Sequence, residues 1–141
     1  FVFKQKTAYD VVSRDWSSDV CSSDLDPSMP AFLRHRGIDR LKEARNYIER
    51  ALALDPENPA ILDSMGWVLF QEGQLQPALD YLARAWSAFP DPEVAAHYGE
   101  ALWVSGAEDQ ARIVWKEGLE QDADHSVLRE TIDRLTDNGD L

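Results

Sequence analysis

Residues 59–92 read PAILDSMGWVLFQEGQLQPALDYLARAWSAFPDP, and the placing of small residues and prolines in this stretch decides the fold. Gly66 lies within one apolar run and Ala78 within the next. Small residues at such places let two helices cross closely, where a larger side chain would hold them apart. Gly73 falls between the runs, at the left-handed position that favours glycine after a helix end. Pro90 stops the second run because its ring cannot continue a helix. Asn58 before Pro59 and Asp91 before Pro92 each give an N-cap followed by proline at the first helical position. The stretch therefore predicts two antiparallel helices with defined ends.

The same signals recur on both sides of it. Ala44, Ala51 and Pro56 return 34 residues later as Ala78, Ala85 and Pro90. Gly66, Gly73 and Ala78 return 33 residues later as Gly99, Gly106 and Ala111. The single missing residue falls in the connection, where Pro56 to Pro59 is a step of three and Pro90 to Pro92 a step of two. A helix pair repeated at this period is the unit of a solenoid.

Residues 39–136 resemble the tetratricopeptide repeat, most closely in the copy at 59–92. There Leu62, Met65, Gly66 and Leu69 stand at the signature places of the first helix, and Ala78, Leu82, Ala85 and Pro90 at those of the second. The copy at 92–124 keeps Tyr98, Gly99, Leu102, Ala111 and Trp115, but Gly118 replaces the last alanine and Ala123 the proline. The resemblance implies an all-α superhelix with packing positions at Gly66, Ala78, Ala85, Pro90, Gly99 and Ala111. Its expected divisions are a half repeat at 39–58, repeats at 59–91 and 92–124, a capping helix at 125–136 opened by Asp124, and a tail at 137–141. In the capping helix Leu128, Ile132 and Leu135 form the apolar face, and Arg129, Glu130, Asp133 and Arg134 back it with charge. Leu41, Ala44, Ile48 and Leu52 of the half repeat are expected to have packed on repeats now absent, which makes the chain the tail of a longer array.

Residues 1–25 are unlike the rest. They lack helical periodicity, and KQKTAY at 4–9 with DWSSDVCSSDL at 15–25 resembles the two arms of translated short-read sequencing adapter, Asp10 departing from the expected Glu. They are expected to be foreign to the protein or, failing that, a disordered leader; residues 26–38 form a doubtful junction. Cys21 then falls away, and with it every cysteine.

Composition bounds the function. The 141 residues carry 14 Lys and Arg against 26 Asp and Glu, a net charge of −12. That balance disfavours nucleic acid and a basic membrane-surface role. One cysteine excludes a disulfide framework within the chain. His35, His97 and His125 are dispersed, without a second ligand at metal-site spacing, and read as surface or groove-lining residues. No converging acid, base and nucleophile is visible, so an enzyme is not expected, nor a metal or cofactor.

Binding is expected instead. In the tetratricopeptide family, positions two, five, nine and twelve of each first helix line a concave groove. Carried onto this sequence they are Ala60, Asp63, Trp67 and Phe70, then Glu93, Ala96, Glu100 and Trp103, with His97 adjacent. Trp67, Phe70 and Trp103 would form an aromatic strip edged by Asp63, Glu93 and Glu100; the alternative is that these aromatics pack against neighbouring helices. The acidic edge disfavours carboxylate-clamping relatives and suggests an apolar ligand of some basic character. Trp86 and Trp115 read as core or convex-face residues.

Three phrases, PAILDSMGWV at 59–68, EVAAHYGE at 93–100 and VLRET at 127–131, resemble large repeat lipoproteins of the Gram-negative outer membrane. That family faces the periplasm, holds a carboxyl-terminal processing protease and brings substrates to it. The resemblance implies a protein-binding adaptor at the cell envelope. A cytoplasmic assembly or regulatory module, and the repeat tail of an enzyme, stand as alternatives.

Overall fold

The computed structural model describes residues 31–136 and 141, with side chains from Arg40 onward. The expectations for residues 1–30 and for the tail at 137–140 lie outside the described residues. Among the described residues six helices follow one another: α1 (Ala31–Leu54), α2 (Pro59–Gln71), α3 (Leu75–Ala88), α4 (Pro92–Ser105), α5 (Glu108–Gln121) and α6 (Ser126–Leu135).

The ends of the two first helices are built alike. Asn58 Oδ1 accepts from the Ala60 amide at 3.0 Å, and Asp91 Oδ1 accepts from the Glu93 amide at 2.9 Å. Pro59 and Pro92 follow at positions whose amides would have no partner. At the other end Gly73 and Gly106 take positive φ, 82° and 94°. The Gln74 amide then donates to Leu69 O and the Gly73 amide to Phe70 O. Ala107 and Gly106 repeat the pair on Leu102 O and Trp103 O. This double bond to the last turn is the Schellman arrangement, and only a residue free to adopt positive φ closes it without strain.

Antiparallel pairs α2–α3 and α4–α5 form the repeats, α1 packs on α2, and α6 packs on α4 and α5. Where Gly66 crosses α3, a Cβ would lie 2.5 Å from Leu82 Cγ and 3.1 Å from Ala78 O. At Gly99 the indole of Trp115 occupies the space a side chain would need. Ala78, Ala85 and Ala111 are fully buried, whereas Pro90 is exposed in the connection it terminates.

One continuous sequence of cores results. Leu41, Ala44 and Ile48 of α1 are buried with Ile61, Met65, Val68 and Leu69 of α2. Leu62, Ala85 and Val94 join the repeats. Ala95, Ala96 and Leu102 of α4 pack with Ala111, Val114 and Trp115 of α5 and with Leu128 and Ile132 of α6.

Four expectations are corrected. Leu41, Ala44 and Ile48, expected to need repeats outside the chain, are buried against α2 within it, and Leu52 is partly buried there. The first helix begins at Ala31 rather than Asp39: it runs through Gly37, a single glycine costing about 1 kcal/mol that a helix of 24 residues tolerates. The residue capping α6 is His125, whose Nδ1 accepts from the Leu128 amide, and not Asp124. The Asp124 amide is instead drawn into a turn by Asp122 Oδ1 at 3.1 Å. Gly118, read as a degenerate substitution, is required where it stands: a Cβ there would meet Ala95 Cβ at 2.7 Å and Leu128 Cδ2 at 2.8 Å.

Candidate functional site

The first helices of successive units touch one another, α2 with α4 and α4 with α6, while α3 and α5 share no comparable contact. A stack of helix pairs curves toward the side where its helices crowd. The face of α2, α4 and α6 is therefore the concave one.

On it, α2 carries Asp63, Trp67 and Phe70, one helical turn apart along one stripe. Trp67 stacks on Phe70 with ring centroids 5.2 Å apart and planes 13° from parallel. Its other neighbour is His97 of α4, at 4.3 Å and 22°. His97 Nδ1 lies 2.9 and 3.0 Å from the two oxygens of Asp63, and both residues are buried. Burial alone would lower the His97 pKa. The Asp63 charge and hydrogen bond, with smaller contributions from Glu93 and Glu100, outweigh it and hold the imidazole above its ordinary value.

The next pair of first helices is joined in a similar way. Arg134 of α6 donates to Glu100 of α4 at 2.7 Å, and Glu100 is buried while Arg134 is half exposed. Glu93 is partly buried at the start of α4, its amide held by Asp91. Both cross-helix contacts, Asp63 to His97 and Glu100 to Arg134, span 34 residues, one repeat period.

The sequence-predicted residues thus divide. Asp63, Trp67, Phe70, His97 and Glu100 come together between α2 and α4. Asp63, His97 and Glu100 were expected to edge an open groove and are buried instead, because each carboxylate finds a cationic or imidazole partner on the adjacent first helix. Asp63 and Glu100 are therefore satisfied within the chain, and of the expected acidic edge Glu93 alone stays partly exposed. Trp67 and Phe70 are half-buried: each packs on the core joining α1 and α2, and each keeps an accessible edge. The Trp67 Nε1 is buried with no hydrogen-bond partner among the described residues.

Trp103 is half-buried, as Trp67 and Phe70 are, but its ring neighbours lie on α5. It stacks on Trp115 of α5 at 5.5 Å, and the Arg112 guanidinium lies 5.3 Å over its ring. It packs against the α4–α5 core, and Trp115 beneath it is fully buried. Arg134, placed by the sequence on the solvent face of α6, is the partner of Glu100 that sequence reasoning missed. Its separation of one repeat period from Glu100 was the signal available.

Among the described residues no group of three His, Cys, Asp or Glu could hold a metal ion. None of the described helices is long and apolar enough to cross a membrane. The arrangement offers stacked aromatic rings beside two internally paired carboxylates, suited to contact with another chain.

Comparison with known proteins agrees with the helix pairs. The tetratricopeptide repeat family matches residues 39–96. A TPR repeat-containing protein of Pseudomonas aeruginosa, PA4667, is 50 % identical over 97 residues, which cover 69 % of this chain. The chain spans 16 % of that relative's length. With the six antiparallel helices described above, the fold is an all-α tetratricopeptide-repeat superhelix.

Proposed function

We propose that these tetratricopeptide repeats form a protein-binding scaffold whose concave α2–α4 face docks a protein partner, within an envelope lipoprotein that assists a carboxyl-terminal processing protease. The observation that carries the docking face is the Trp67–Phe70 stack. Two large rings lie parallel on the side where the first helices converge, each partly open, beside the paired carboxylates of Asp63 and Glu100. Rigid aromatics set in a desolvated surface supply most of the energy at protein interfaces. Repeats of this family generally bind other proteins, which supports the scaffold role. The protease and the envelope location rest on the phrases at 59–68, 93–100 and 127–131 and on their likeness to outer-membrane repeat lipoproteins.

The chain, immobilised, is tested against the purified carboxyl-terminal processing protease of its own genome. Binding is expected, and Trp67→Ala with Phe70→Ala should weaken it by roughly 30-fold or more, as for hot-spot residues. Far-UV circular dichroism of that double variant should keep its helical signal. Absence of binding refutes the protease as partner. Binding that survives both substitutions refutes the aromatic face as its site.

A further inference from the structure

Buried ionisable pairs are costly, and one placed between two binding helices has a consequence for how they are held. His97 and Asp63 are 4 % and 1 % exposed, and their contact is the side-chain hydrogen bond joining α2 to α4. The imidazole also lies flat against Trp67. A charged imidazole is attracted both to the carboxylate and to the face of the indole. A neutral one keeps the hydrogen bond through Nδ1–H but loses the charge on both sides. Asp63 is then left as a buried carboxylate without a counter-charge.

We propose that the His97–Asp63 pair is an acid-held latch: it fastens α2 to α4 and fixes Trp67 while the imidazole is charged, and slackens as the imidazole gives up its proton to solvent. The latch regulates the docking face proposed above and rests on that reading for its functional meaning, though not for its test.

The groups that face His97 are few. Asp63 comes from α2, and Glu93 and Glu100 lie on its own helix. From α6, Arg134 is held by Glu100. The α3 and α5 side chains buried against α4 are apolar, Ala85 beside Val94 and Ala111, Val114 and Trp115 beside Ala95 and Ala96; Arg112 lies over Trp103 instead. Three carboxylates and one already-paired cation leave the local balance favouring the imidazolium, in line with its raised pKa.

The direction of the effect follows. The folded state holds the proton more tightly than the unfolded chain does. The pair's contribution is therefore complete below the unfolded histidine value, about 6.5, and is lost as pH rises through the higher folded value.

The unliganded full chain is the sample, so a missing partner does not affect the outcome. Carbon–proton correlation spectra of the imidazoles, followed from about pH 5 to about pH 9, should show His97 titrating above the ordinary histidine value. Asp63→Asn should bring it down. Over the same range the thermal midpoint of the wild type should fall by roughly 5 °C more than that of His97→Gln. His97 titrating at or below the ordinary value overturns the latch, as do parallel stability profiles for wild type and His97→Gln. Should His97→Gln fail to fold, the wild-type titration decides alone.

Discussion

Replacing Gly99 by alanine tests the closest approach in the molecule. In an open helix the change stabilises by about 1 kcal/mol, because glycine is the poorer helix former. Here the new methyl would fall on Nε1 and Cδ1 of Trp115 and lie 2.6 Å from Cε2. Carbon atoms rest at about 3.5–4.0 Å, so α4 and the indole must part by roughly 1 Å. The indole has little room to yield: it is fully buried, with Trp103 stacked on it and the α4, α5 and α6 side chains packed about it. Overpacking of this kind costs about 1–3 kcal/mol, and a rigid neighbour places it at the upper end. Subtracting the gain in helix propensity leaves a net loss of about 2 kcal/mol, or roughly 10 °C in thermal midpoint for a domain of this size. Melts followed at 222 nm, with urea unfolding read by tryptophan fluorescence, measure it. Gly66→Ala is the companion case: its methyl would lie 2.5 Å from Cγ of the fully buried Leu82 and 3.1 Å from Ala78 O, so it should lose stability too. A midpoint that stays level or rises in Gly99→Ala would refute the close contact.

Trp103→Ala should lower stability by about 2 kcal/mol, because it removes a ring packed on Trp115 and under Arg112; a change within about 0.5 kcal/mol would return Trp103 to the surface strip. Gly106→Ala should cost about 1 kcal/mol through backbone strain alone, since φ is 94° and nothing lies within 4 Å of the added methyl. An unchanged urea midpoint in that variant would argue against the left-handed C′ position.

Much of the architecture is legible along the chain because its signals are local. An N-cap side chain reaches amides two residues away, a C′ glycine closes bonds to the last turn, and proline acts on its own backbone; Asn58, Gly73, Asp91 and Gly106 therefore declare the helix ends without reference to anything distant. The recurrence at 33 and 34 residues then fixes which helices are equivalent and so which faces must meet. Gly118 was harder to read because its small size answers to Ala95 and Leu128, on two other helices.

The site was legible as a set of residues but not as an environment. Family positions brought Asp63, Trp67, Phe70, His97 and Glu100 to one face, since helical spacing alone places i, i+4 and i+7 together. Whether a carboxylate there meets water or a counter-charge depends on the residue opposite, supplied by another helix. The sequence by itself determined an all-α repeat with its helix limits and its small-residue crossings. Only the tertiary structure decided that Asp63 and Glu100 are paired across first helices, that Trp103 stacks on Trp115 while Trp67 stacks on Phe70 and His97, and that this histidine is buried. Those outcomes are set by contacts one repeat apart, where packing distance rather than chain neighbourhood governs burial and charge.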